Sequence, residues 1–163
     1  MNDLDHQFAD FFIAVDDAHK DFVDTAHKMV LQEGYKVKKA TPTKTYLFSV
    51  AYAHPKTRRG IINFMLRKKG LRTIISIRNC DKLSDTFLTL PPKMIEQLDK
   101  TNACINIETP GKCMAKCKGY DFYIGETHYQ KCKFGCFQFD VDEESTPFLL
   151  ELLKRELEER RAE

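Results

Sequence analysis

The chain has no tryptophan, only seven glycines in 163 residues, and no acidic residue between positions 34 and 80. It also has no apolar run of the ~18 residues that a membrane-spanning helix needs. Each gap excludes something. So little glycine argues against a glycine-rich phosphate cradle, and no P-loop, GxGxxG, HExxH or GxSxG motif occurs. The opening MNDLDHQFADFF is acidic and lacks the basic-then-apolar order of a secretory signal, so the expected compartment is the cytoplasm, with no membrane partner. Six cysteines in that compartment are not expected to form structural disulfides. What is present is a globular composition, 42% apolar, at a length that suits one domain over 1–163.

The formal net charge of +2 hides strong segregation. Residues 1–33 carry eight acidic and two basic side chains, and residues 139–163 carry nine acidic and four basic. Between them, residues 34–80 hold twelve basic side chains. Two readings follow. In one, acidic helices pack near a basic sheet, each exposed pair contributing only ~0–1 kcal/mol. Alternatively, Arg58, Arg59, Arg67, Lys68, Lys69 and Arg72 form a surface for nucleic acid, phosphate or an acidic partner.

The apolar periodicity gives the elements. Leu4, Phe8, Phe11, Val15, Phe22 and Met29 make one helical stripe over 4–33, divisible at Asp16–Asp17 and stopped by Gly34. Tyr46–Tyr52, Ile61–Arg67 and Leu71–Arg78 read as three antiparallel strands, with Gly70 in the second turn. Residues 82–101 read as helical, restarted by Pro91–Pro92, and residues 102–119 as loop. Tyr120–Gly125 is a strand that returns as Thr127–Val141, with a bulge or kink at Gly135 where the apolar parity changes. The last element is a helix capped by Thr146, with Glu151–Arg155 and Glu156–Arg160 as i,i+4 pairs. The expected class is α+β: an antiparallel sheet of about five strands, with helices packed on it and at both termini. The chain divides into an N-terminal helical segment (1–33), a basic meander with helices (34–101) and a Cys-rich loop, hairpin and helix (102–163).

The most specific pattern is Cys113-x3-Cys117 followed, after fourteen residues, by Cys132-x3-Cys136. Two local pairs of thiolates are what a tetrahedral zinc site requires. Cα atoms four residues apart in a strand are ~13 Å apart, so Cys132 and Cys136 can share a metal only if Gly135 bends the chain. Cys104 is a substitute ligand and His128 a weaker one, while Cys80 reads as structural. Four thiolates leave no open position for water, so such a zinc is structural rather than catalytic. The same ligands could hold iron or an iron–sulfur cluster. Inert reduced thiols and redox or catalytic thiols also fit the pattern. No spacing names a reaction, and a Cys–His nucleophile is not favoured.

The runs FSVAYAHPKTRRGIINFMLRKKGL, FLTLPPKM and CMAKCKGYDFYIGETHYQKCKFGCFQF resemble a family of small bacterial proteins with no assigned activity, over roughly residues 34–162. More distantly, GCFQFDVDEESTPFLLELLKREL is similar to the closing strand and helix of frataxin-like α+β proteins. That resemblance implies an α+β fold and, as a minor alternative, iron handling or small-molecule chemistry in a cleft between sheet and helices. The leading expectation is a binding or regulatory module with a structural zinc site.

Overall fold

A computed structural model of the chain describes residues 3–41 and 47–163. The acidic N-terminal segment forms two helices, α1 (Asp3–Ala14) and α2 (Asp17–Gln32). Asp16 is extended between them, and Gly34, at φ +80°, ends the second in a conformation that suits glycine. Phe11, Val15, Phe22, Val23, Ala26 and Val30 are buried, so the Phe-rich stripe is core.

Strands β1 (Lys36–Thr41), β2 (Phe48–Ala53), β3 (Gly60–Arg67) and β4 (Gly70–Ile75) form an antiparallel meander. Tyr46, the expected start of β2, lies outside the described residues. β1 has no counterpart in the sequence reading. Its three lysines hide the alternation, and a bulge between Val37 and Lys39 shifts its parity. In β3 the successive residues Ile61 and Ile62 are both buried, so this central strand is covered on both faces. Phe64 meets Phe11 and Phe22 at ring-centroid distances of 5.9 and 6.0 Å, fastening α1 and α2 to the sheet.

A 3₁₀ turn (Cys80–Leu83) and the short helices α3 (Ser84–Phe87), α4 (Pro92–Asp99) and α5 (Ile105–Glu108) follow. The helical stretch expected at 82–101 is present, with its restart at Pro91–Pro92, and the loop expected at 102–119 contains one helical turn. Strands β5 (Tyr120–Ile124) and β6 (Thr127–Lys131) pair only with each other as a named sheet. The expected long return strand to Val141 does not form. It breaks at 132–137, and the short β7 (Gln138–Asp140) joins β4 instead, giving the order β1-β2-β3-β4-β7. One bulge could not serve both parities, because Phe137 and Phe139 are buried in the core while Cys132 and Phe134 remain partly or largely exposed. The class is α+β, as expected.

Helix α6 (Thr146–Arg161) closes the fold. Its N-cap is Ser145, not Thr146. The Asp142 N–H donates to Ser145 Oγ (2.9 Å), and the Ser145 N–H donates to Asp142 Oδ1 (2.8 Å). Arg155 lies 3.7 Å from both Asp85 and Glu158 rather than pairing with Glu151. The Glu156–Arg160 pair does form, at 2.6 Å, but it is buried: the two side chains are 1% and 11% exposed. Glu156 Oε1 also accepts the Arg78 N–H (3.0 Å), and Arg160 donates to Gly60 O (2.8 Å), Ser76 O (2.6 Å) and Tyr35 Oη (3.2 Å). Burial holds the Glu156 carboxyl above the usual carboxylate range, against the pull of Arg160.

Removing one partner of a buried pair leaves the other uncompensated. Arg160→Ala should therefore cost ~3–5 kcal/mol in denaturant unfolding. A loss below ~1 kcal/mol, the scale of an exposed pair, would contradict the buried assignment.

A half-buried polar contact bears on the pH dependence. The His27 ring stacks on Phe8 (centroids 3.9 Å), and its Nδ1 lies 2.6 Å from Tyr52 Oη. Burial holds its pKa below the ordinary histidine value, outweighing the opposite pull of Asp24 and Asp5. In the window below the unfolded histidine pKa of ~6.5, the unfolded chain binds the proton and the folded one does not. Stability should therefore fall as pH drops through that window and level off once the folded pKa is passed. Denaturant midpoints at pH ~7.5 and ~5.5 should differ in the native chain and differ less in His27→Gln. An equal pH dependence in both would remove His27 as its source.

Candidate functional site

The basic segment divides into two ends of the sheet. β3 has eight residues, so at ~3.3 Å per residue its ends lie roughly 25 Å apart. At the far end are Arg67, Lys68, Lys69 and Arg72. Here Asp140 of β7 draws in two guanidiniums: Arg67 Nη2 at 2.6 Å and Arg72 Nε at 2.9 Å, both on Oδ1. The Gln97 side chain completes the contact, its Oε1 accepting the Asp140 N–H at 2.9 Å. Burial alone would raise the Asp140 carboxyl, but Arg72 and Arg67 hold it below the usual range. Lys68 and Lys69 are exposed in the β3–β4 turn. Lys93 is paired with Asp142. Asp140 and Asp142 therefore neutralise this side of the basic segment, while Arg78, beyond the opposite end of β4, is paired with Glu163.

The near end is different. Lys36, Lys38 and Lys39 of β1 and Lys56, Arg58 and Arg59 of the β2–β3 loop are all exposed. Among the described residues, none of the six has an ion-pair partner. Glu33, close by in sequence, is engaged by Arg161. Lys36, Lys38, His54 and Arg58 line a cleft of about 520 Å³ floored by Val37, Ala53 and Pro55, with no described carboxylate in its wall. Sequence reasoning missed Lys36 and Lys38 because β1 was not foreseen. The run of lysines was visible, but its position beside Arg58 needed the register of β1 on β2.

The loop carrying Arg58 and Arg59 is held from inside. His54 N–H donates to Arg59 O (3.0 Å), and Arg58 N–H donates to His54 O (2.8 Å). His54 Nδ1 accepts the backbone N–H groups of Lys56 and Thr57 at 3.3 and 3.4 Å. Arg58 sits at φ +57°, the one non-glycine with positive φ among the described residues. That region disfavours residues with a Cβ.

Across β1, Leu4, Phe8, His27 and Leu31 line a second cleft, of about 610 Å³, which shares Lys36 and Val37 with the first. It is a cleft between sheet and helices, the setting that small-molecule or iron chemistry requires. Asp5 and His27 are the titratable groups of the helices in its wall.

The cysteines do not stand as the spacing implied. Cys136 is fully buried among core residues, Cys80 and Cys104 are also buried, Cys113 is exposed, and Cys117 and Cys132 are half-buried. Burial, reinforced by Glu156, pushes the Cys80 thiol up to about 12, and burial likewise raises Cys136. Among the described residues, no three His, Cys, Asp or Glu side chains stand together as a metal-holding group. His128 is turned to Asp121, at 2.5 Å, and stacks on Tyr123. Cys104 and Cys132 flank one short ladder, in which the Cys104 N–H donates to Gln130 O (3.1 Å) and the Cys132 N–H to Asn102 O (2.9 Å).

The chain matches no known protein family, no curated protein and no solved structure. No described helix is long and apolar enough to cross a membrane.

If the strained φ of Arg58 serves the cleft rather than the fold, the two can be separated. Arg58→Gly should gain up to ~1 kcal/mol of stability, because glycine adopts this region without the Cβ penalty. A loss of stability in thermal or denaturant unfolding would show that the side chain supports the fold.

Proposed function

We propose that the chain is a binding module for a phosphate-bearing polymer, nucleic acid, and that the near end of the sheet is its contact surface. The observation that carries this reading is the partition of charge. The acidic C-terminal segment pairs with Arg67, Arg72 and Arg78, yet leaves Lys36, Lys38, Lys39, Lys56, Arg58 and Arg59 open on one edge. Three of these cations, Lys36, Lys38 and Arg58, line one cleft, and the other three are their near neighbours in sequence. Such a cluster contacts successive phosphates and releases condensed counterions, a large source of affinity in such complexes.

A plainer account is available for the lysines alone. β1 is an edge strand, and lysines on an edge discourage pairing with other chains. That account requires neither a strained arginine nor a loop closed by four hydrogen bonds on His54. A loop fixed in advance costs less entropy when it binds.

The test is fluorescence anisotropy of a labelled oligonucleotide, single- and double-stranded, across salt concentrations. With four duplex phosphate contacts, a fourfold rise in salt should weaken binding roughly 100-fold. Exchanging Lys36, Lys38, Arg58 and Arg59 for Glu should abolish it. Exchanging Lys68 and Lys69 for Glu should change it little, because that turn is at the other end of the sheet. Affinity that is flat with salt, or an equal loss from the two sets, would overturn the reading.

A further inference from the structure

The loop between α5 and β5 is long and almost unpacked. Every residue from Glu108 to Lys116 is exposed, so no buried apolar side chain holds it. What organises it is a single amide. Asn106 Nδ2 donates to Met114 O (2.8 Å) and Cys117 O (2.9 Å), and Asn106 Oδ1 accepts the Cys113 N–H (2.8 Å). A further turn bond runs from the Cys117 N–H to Met114 O at 3.0 Å. Cys113 and Cys117 thus occupy one tight loop, tied to a residue two positions after Cys104.

Two more thiols adjoin this loop. Cys104 is the N-cap of α5, and its Sγ lies against Gly119, two residues after Cys117; a Cβ on that glycine would stand 2.4 Å from the sulfur. Ala103 bridges Lys131 in an antiparallel ladder. Alternation therefore puts Cys104 and Cys132 on the same face, diagonally across the ladder, a relation that spans ~7–8 Å between Cα atoms. Cys136 differs from these: it is fully buried, beside Phe137 in the aromatic core.

We infer that the chain binds one zinc ion through Cys104, Cys113, Cys117 and Cys132, with Cys136 outside the ligand set. The four residues are neighbours through their backbones, but their side chains have not converged. Binding requires the side chains to rotate and the exposed loop to shift until the sulfurs stand ~2.3 Å from the metal. On binding, the thiols give up four protons to solvent as thiolates, so affinity rises with pH. The complex carries −2, which Lys112, Lys116 and Lys118 on the loop offset. Tetrahedral closure fixes a segment that apolar packing leaves loose. This site is independent of the basic edge, and neither reading rests on the other.

The test uses the full chain, reduced and titrated with zinc against a competing chelator. One equivalent should bind, and cobalt in its place should give an intense thiolate charge-transfer band. Cys104→Ser, Cys113→Ser, Cys117→Ser and Cys132→Ser should each weaken binding by more than ~100-fold, beyond the effect of losing an outer partner of a ligand. Cys136→Ser and Cys80→Ser should keep the equivalent. Substitution of a buried cysteine can also impair folding, so alkylation of the native chain supplies a second readout. Zinc should protect Cys113, Cys117 and Cys132 from iodoacetamide, as mapped by mass spectrometry. Equal labelling of Cys113 with and without zinc would overturn the site. So would substoichiometric binding, a sulfide-containing iron cluster as the stable product, or loss of metal in Cys136→Ser with retention in Cys104→Ser.

Discussion

Much of the geometry hangs on the buried pair of Glu156 and Arg160. Arg160 reaches the carbonyls at the start of β3 and just beyond β4, together with the hydroxyl just before β1. Glu156 fixes the backbone after β4 through the Arg78 N–H. One turn of the last helix thereby fastens three strand ends. The loop that carries Arg58 and Arg59 ends at this place, since Gly60, the first residue after it, is a partner of Arg160. A carboxylate in such a position is costly to desolvate; a guanidinium and an amide donor both reach Oε1 and offset part of that cost, while Oε2 is buried without a hydrogen-bond partner. The candidate surface is therefore exposed in its side chains and anchored in its backbone.

The same helix and the strand before it explain the charge distribution. A chain with acidic ends and a basic centre could have neutralised itself evenly. Instead, Asp140 takes two arginines into one contact where β7 meets β4, and Glu163 takes a third. The lysines of β1 lie on the opposite sheet edge, in the order β1-β2-β3-β4-β7, beyond reach of β7. Topology, rather than composition, decides which cations stay uncompensated.

Much of this was legible in the residues, for physical reasons that differ by element. The Phe-rich helices and the meander follow from strong periodicity, and Gly34 and Gly70 from the positive φ they adopt. β1 was hidden because lysines dominate it and a bulge breaks its alternation. The long return strand was over-read because alternation continues on both sides of a break, and local pattern carries no record of which sheet a strand joins. Cys136 looked like a ligand on spacing alone, but its neighbour Phe137 takes that stretch into the core. Arg67 and Arg72 were grouped with Arg58 and Arg59 by charge, and only a partner 68 residues away from Arg72 separates them. Cys104, in contrast, does stand close to the loop of Cys113 and Cys117, its sulfur lying against Gly119.

The break at 132–137 has a further consequence. Because β6 ends before β7 begins, no named strand is shared between the five-stranded sheet and the hairpin of β5 and β6. Phe122, Tyr129, Phe87 and Phe137 join the two through ring contacts of 5.3–5.5 Å instead. Ring contacts transmit less directional constraint than a continuous ladder. The amide protons of the hairpin should accordingly exchange ahead of those in the larger sheet, which a ladder running through both would have protected together.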